Sequence, residues 1–291
     1  MRPGRAVLVG FPQDEGVRRN GGRAGAAGAP DALRRFLYRL TTWDPETGAD
    51  LPLEPPLDAG NVRVTGGLEE SQSALAEVVG AVLGRGAVPV VLGGGHETAY
   101  GVYLGYVAAR RPVGIVNIDA HLDVRPLVDG LGHSGSPFRQ AMEHPATPLP
   151  GNRYACLGAQ PHATSREHWN YVHRRGGVVR RAGELQPSLT HHLLRERDRM
   201  VADGATVHLT IDADAVRASD VPGVSAPNPT GLPGSDVVVA ARAAGLSPAV
   251  SSLDLVEINP RFDPDDRSAR WGAVLIWNFL VGVQKRTAPP K

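Results

Sequence analysis

The segment NIDAHLDVRP (117–126) sets Asp119, His121 and Asp123 at every second position, directly after a short apolar run. Ionisable groups placed where a buried strand ends need something to offset their desolvation, and a metal ion suits this mixture of carboxylate and imidazole. Three further runs end in the same way. AVPVVL leads into GGGHE with His96, VHLTI into DAD with Asp212 and Asp214, and SSLDLV into EINP with Glu257. Residues i and i+2 of an extended chain share a side, so Asp119, His121 and Asp123 are expected to converge, as are Asp212 and Asp214. Two imidazoles and four carboxylates are too oxygen-rich for a structural zinc and suit Mn2+, Mg2+ or Fe2+. With one or two bridging carboxylates the set suffices for two ions, and ions about 3.5–4 Å apart make hydroxide available at neutral pH.

A single Asp-x-Asp after a strand is ordinarily a turn or a cap. What argues for one shared site is the recurrence of such groups at separate strand ends. The glycines at 93–95 lack the Lys-Ser/Thr ending of a phosphate-binding loop and the spacing of a dinucleotide fingerprint. They are expected instead to let the backbone turn tightly beneath His96.

The elements that must position these groups can be read from the pattern. Strands are expected over 5–11, 87–94, 112–119, 153–159, 205–214 and 249–260, and helices over 29–40, 68–86, 97–110 and 268–284. The helix at 29–40 carries Pro30 near its first turn, and the one at 68–86 ends on glycine. Alternating strands and helices predict an α/β fold, a mostly parallel sheet with helices on both faces, whose function gathers at the carboxyl ends of the strands. No repeat or linker divides the chain, so one domain over 1–291 is expected, with the Pro-rich pieces at 51–56 and 144–150 as surface excursions. The apolar C-terminal helix, with Trp271 and Trp277, is expected to pack on the core in preference to another subunit.

Composition narrows the class. Among 291 residues, 31 Lys plus Arg stand against 30 Asp plus Glu. That balance offers no charge excess for a nucleic-acid or acidic-membrane partner. No stretch approaches the ~20 apolar residues of a membrane span, and AVLVG near the N-terminus is too short for a signal-peptide core. The single cysteine, Cys156, rules out an intrachain disulfide and fits a reducing cytoplasm. Beside Tyr154 and Leu157 it reads as a small buried apolar residue and not as a nucleophile.

Taken in order, GGGHE, DAHLD and TIDAD, followed by EINP, resemble the arginase/agmatinase/formimidoylglutamase superfamily of dimanganese ureohydrolases. The similarity begins at GFPQDEGVRRNGGRAGAAGAPDALR (10–34) and extends to about residue 270. The resemblance implies a three-layer α/β/α sandwich and two Mn2+ per subunit. One ion would take His96, Asp119, Asp123 and Asp212, and the other Asp119, His121, Asp212 and Asp214. It also implies a homo-oligomer, since relatives are commonly oligomeric.

Within the superfamily the chain looks most like the formimidoylglutamases, which hydrolyse N-formimidoyl-L-glutamate to L-glutamate and formamide in histidine breakdown. The features that point there are DEGVRRNGGR, Arg125 in DAHLDVRP, and SGSPFRQ at 134–140, with Ser134 and Ser136 expected at the substrate. Arg125, two residues beyond Asp123, is expected at the pocket mouth, where its guanidinium would pair bidentately with a substrate carboxylate. By the same resemblance Glu257 would hold the cationic amidine. Asp123 would accept the proton of a metal-bridging hydroxide and pass it to the leaving nitrogen. A guanidino-acid or agmatine-type ureohydrolase releasing urea is the alternative. Arg18, Arg19 and Arg23 are weaker candidates, because arginines in a glycine-rich loop are often solvated.

The chain departs from the family pattern in places. Ser134 stands where arginases and agmatinases carry a histidine, with His133 one residue earlier, and Thr210 replaces the usual serine before the Asp-x-Asp motif. Ala29 stands where glycine commonly precedes Pro30, and APNP (226–229) is a local variation.

Overall fold

The computed structural model describes residues 3–45, 49–50 and 56–286. Eight strands form its main sheet: β1 (Ala6–Gly10), β2 (Leu57–Asn61), β3 (Val88–Leu92), β4 (Val113–Ile118), β5 (Tyr154–Ala159), β6 (Val178–Arg181), β7 (Thr206–Asp212) and β8 (Val250–Val256). Their spatial order is β2-β1-β3-β8-β7-β4-β5-β6, and every neighbouring pair is parallel. Parallel strands covered on both faces read as near-continuous apolar runs, which is why VPVVL and VGIVNI are buried throughout.

Alternation sorts the strand side chains to two cores. Leu8, Val90, Leu92, Leu209 and Leu253 face α2 (Ala29–Leu37), α7 (Leu189–Ala202), α8 (Gly234–Leu246) and α9 (Arg267–Lys285). Val7, Val9, Val91, Ile115 and Cys156 face α3 (Leu68–Gly84), α4 (Thr98–Ala108), α5 (Pro137–Met142) and α6 (Arg166–Arg174). The result is the expected α/β/α sandwich. Cys156 is fully buried in the second core, and burial pushes its thiol well above the usual range, which fits an inert apolar role.

The sheet order does the functional work. The strands that end in the four motifs, β3, β8, β7 and β4, are consecutive neighbours although the chain visits them far apart. Passing from β3 to β4 leaves a gap two strands wide, which β8 and β7 later fill. Such a topological switch is where an open α/β sheet forms its crevice.

Both edges were illegible in the sequence. β2 (LDAGN) is polar and mostly exposed, and β6 has four residues. Short, polar edge strands present little to an incoming chain. The expected helix over 29–40 stops at Leu37, and α1 (Glu15–Arg19), α5, α6, α7 and α8 add to the predicted set. The C-terminal helix packs within the chain: Ala273, Ile276 and Phe279 enter the first core, and Trp271 and Trp277 donate to the carbonyls of Gly234 and Thr41. Of the two Pro-rich pieces, residues 51–55 lie outside the described residues, while 144–150 runs along the surface with Leu149 alone buried. Among the described residues no helix is long and apolar enough to cross a membrane.

The glycines after β3 are under direct steric demand. A Cβ on Gly94 would overlap the backbone carbonyl of Gln13, and main chain cannot swing aside as a side-chain tip can. Gly94→Ala is therefore expected to lower stability by about 1–3 kcal/mol, read as a fall of several degrees in Tm by thermal unfolding. An unchanged Tm would mean that the segment around Gln13 yields without penalty.

Candidate metal centre

The turn after β3 is fastened on two sides before it reaches His96. Gly93 donates to the Leu255 carbonyl at 2.8 Å, Gly95 to Gln13 at 3.0 Å, and Gly94 accepts from the Glu257 amide at 2.8 Å. His96 is fully buried, with Phe138 edge-on to its ring at 5.2 Å between centroids. Its Nε2 lies 3.0 Å from the Thr210 hydroxyl. An Nε2–H donating there leaves the Nδ1 lone pair free, the tautomer a metal-bound imidazole needs. Nδ1 faces three carboxylate oxygens, at 2.9 Å from Asp123, 3.1 Å from Asp212 and 3.3 Å from Asp119, yet has no hydrogen-bond partner.

Asp119 reaches two ways. Its Oδ2 faces His96 and accepts from Asn117 Nδ2 at 3.0 Å, while Oδ1 lies 3.4 Å from His121 Nδ1. Asp214 approaches that same imidazole nitrogen at 3.3 Å. The donor atoms of His96, Asp119, Asp123 and Asp212 all lie within 4.8 Å of one another, and so do those of Asp119, His121 and Asp214. Asp119 is common to both groups. Asp212, expected in both, stands with the first group, and its Oδ1 accepts the Asp214 backbone amide at 2.8 Å.

The electrostatics show what this arrangement demands. Burial alone would depress His96, but Asp119, Asp123 and Asp212 raise it well above the usual imidazole range. His121 is raised by the Asp214 charge first. Burial would raise Asp119, yet the two imidazoles hold it well below the usual carboxylate range. Burial pushes Asp212 well up and Asp214 to about 6, each helped by neighbouring carboxylates. Carboxylates crowded and buried in this way favour a cation among them. His96 Nδ1, Asp214 Oδ1 and Glu257 Oε2 are buried atoms without a hydrogen-bond partner. A carboxylate-rich donor set with such unsatisfied atoms fits divalent ions of the Mn2+ or Mg2+ type.

Both groups open on a cavity of about 270 Å³, lined by His121, Asp123, Asp212, Asp214 and Glu257 on its floor and by Asn20, Arg125, Ser134 and Ser225 higher up. Glu257 accepts the His96 amide at 2.9 Å through Oε1, and burial raises its carboxyl well above the usual range. Asp123 and Glu257 adopt left-handed backbone, φ 47° and 64°. Non-glycine residues in that region cluster at functional sites, held there by the surrounding structure.

Several expectations need correction or refinement. Ser136 is fully buried, its hydroxyl taken up by His133 and Gln140, so it braces the loop and does not reach the cavity. His133 is likewise occupied, Nε2 with the Pro126 carbonyl and Nδ1 with the Gly135 amide. Arg18 pairs with Asp14 and Glu15, Arg19 with Glu15 and Glu69, and Arg23 with the Ser225 and Val224 carbonyls over the Phe262 ring. None of these three lines the cavity. Sequence reasoning missed Asn20 on the cavity wall, Glu97, and His168. Glu97 takes the Gly16 amide at 2.8 Å, and burial pushes it up to about 7. His168 on α6 is lowered by burial and then by the Arg125 charge. No local signal marks the last of these, because only packing brings α6 beside Arg125.

A model of the arginase family matches residues 4–282. A formimidoylglutamase of Rhodococcus jostii is 41% identical over 96% of this chain and 86% of its own length. A formiminoglutamase of Trypanosoma cruzi, solved with Mn2+, is 35% identical and superposes with a TM-score of 0.88 over 97% of this chain and 94% of its own. The proclavaminate amidino hydrolase of Streptomyces clavuligerus, at 22% identity and a TM-score of 0.83 over 98% of this chain and 94% of its own, shares the fold. With a family match spanning nearly all its length and relatives at this level of identity, the chain belongs to the arginase family.

Proposed function

We propose that this chain is a dimanganese formimidoylglutamase, a single-domain hydrolase over 1–291 that cleaves N-formimidoyl-L-glutamate to L-glutamate and formamide in cytoplasmic histidine breakdown. A homo-oligomer is part of this reading, by analogy with relatives. The observation that carries the substrate assignment is Arg125. It lines the same cavity as the two donor groups and, among the described residues, has no carboxylate within ion-pair distance. A cation left unpaired at the mouth of a carboxylate-floored cavity suits a ligand with an anionic tail. Agmatine, a cation with no carboxylate, gains nothing from it. The formimidoylglutamases among the relatives support the same choice.

His96, Asp119, Asp123 and Asp212 would hold one ion and Asp119, His121 and Asp214 the other. When bound, such ions supply Lewis acidity that makes a water nucleophile available near neutral pH. The protein does the rest. Glu257, with Oε2 free, accepts N–H bonds from the protonated amidine and holds its positive charge. Arg125 and Ser134 take the anionic tail and fix the formimidoyl carbon over the cavity floor. Asp123 accepts the proton lost by water as the C–O bond forms. It returns that proton to the glutamate nitrogen as the C–N bond breaks. Thr210 orients His96 through Nε2 and takes no proton itself.

Protein loaded with Mn2+ and offered N-formimidoyl-L-glutamate, arginine, agmatine and 4-guanidinobutyrate is expected to release formamide and glutamate from the first alone. Arg125→Ala should then raise KM sharply. Urea from a guanidino compound would move the assignment to a ureohydrolase. Thr210→Val keeps the side chain's shape but removes the acceptor of His96, so Mn2+ affinity should fall about 10- to 100-fold. Calorimetric titration reads this without reference to turnover, and an unchanged Kd would remove Thr210 from the centre.

A further inference from the structure

The arginine that the substrate assignment depends on is held by a neutral residue. Arg125 Nη1 donates to Asn20 Oδ1 at 2.9 Å, and Asn20 Nδ2 in turn donates to the Ser134 hydroxyl at 3.1 Å. The chemistry sets the amide's orientation, because a guanidinium only donates and so must face the amide oxygen. Ser134 therefore accepts from Asn20, which leaves its own hydroxyl hydrogen free on the cavity wall. Asn20 is itself fixed, closing α1 (Glu15–Arg19) with its backbone N–H on the Gly16 carbonyl at 3.0 Å. The space for Arg125 is made by Gly135, which accepts the Arg125 amide at 2.8 Å. A Cβ on Gly135 would stand 2.9 Å from Arg125 Cδ and 3.2 Å from Asn20 Nδ2.

The other arginines of this region are disposed differently. Arg18 and Arg19 are neutralised by carboxylates, and Arg23 is spent on backbone carbonyls outside the cavity. Arg125 alone among these four is steered into the cavity wall by an uncharged partner.

We propose that Asn20 is a positioning residue for substrate selection: its amide holds the Arg125 guanidinium in place without cancelling its charge, and aims Ser134 beside it as a second donor. Together they form a receptor for one substrate carboxylate. This rests on the reading above that the substrate has an anionic tail. An aspartate at position 20 would occupy nearly the same volume and still reach Arg125. It would turn the contact into an ion pair and draw the Ser134 hydrogen away from the cavity.

The test is steady-state kinetics of the Mn2+-loaded protein. Asn20→Asp is expected to raise KM for N-formimidoyl-L-glutamate about 10- to 100-fold, the scale of a lost charge-assisted hydrogen bond, with kcat within about threefold. Asn20→Ala, which loosens Arg125 but leaves its charge, should raise KM about 3- to 10-fold. The ratio between the variants is a readout that simple damage to the fold would not produce. N-propylformamidine, an amidine without carboxylates, should be turned over equally by wild type and Asn20→Asp. Equal KM for wild type and Asn20→Asp, or a loss confined to kcat, would overturn the proposal. Turnover of 4-guanidinobutyrate in place of the formimidoyl substrate would sink the formimidoylglutamase reading alone, and the same KM comparison on that monocarboxylate then decides the role of Asn20. Turnover of agmatine alone would overturn both.

Discussion

Everything in this protein is arranged around mutual repulsion among buried carboxylates. Asp119, Asp123, Asp212, Asp214 and Glu257 are all buried, gathered with two imidazoles at the ends of four adjacent strands. Two unit charges about 4 Å apart interact by about 4 kcal/mol at an effective dielectric constant near 20. Five such groups cannot all ionise unless cations lie among them. Burial and this crowding raise Asp212, Asp214 and Glu257, and the carboxylates raise the imidazoles of His96 and His121. A cluster of this kind would push a loose scaffold apart. The parallel sheet resists because its strands are buried on both faces and tied along their whole length by ladder hydrogen bonds.

The second constraint is the glycine-rich segment near the N-terminus, which forms the outer wall. Gln13 caps the amides of Asp14 and Glu15, and Asp14 accepts those of Gly25 and Ala27. Glu97, next to the metal-facing His96, takes the amide of Gly16, whose carbonyl in turn accepts from Ser134. Asn259, two residues past Glu257, closes the far side through the Arg23 carbonyl. The wall is thus tied to the loops after β3, β4 and β8. Groups that touch the two ends of a ligand are in this way held at fixed separation, which is what orientation of a reacting substrate requires.

Backbone strain follows from the same plan. Asp123 and Glu257, both lining the cavity, sit in the left-handed region. The Glu257 amide is held by Gly94 and the Asp123 carbonyl by the Phe138 amide, so neighbouring backbone maintains both conformations.

The ends of β3, β4, β7 and β8 and the chemistry they present were legible from residue types alone. Strand alternation, apolar runs and ligand chemistry are local properties, and a donor set of carboxylate and imidazole names its class of ion without reference to fold. The short edge strands β2 and β6 and helices α1 and α5 to α8 escaped, since polar or mixed sequences there acquire their geometry from what they pack against. Tertiary structure alone decided that β8 and β7 would fill the gap between β3 and β4 and so bring His96, Asp119, Asp212 and Glu257 to one place. It also decided that Ser136 would turn inward while Ser134 faced the cavity, and that Asn20, 105 positions from Arg125, would meet it. Pattern carries the periodicity of a strand, but which loops touch depends on how far the chain travels before the sheet brings it back.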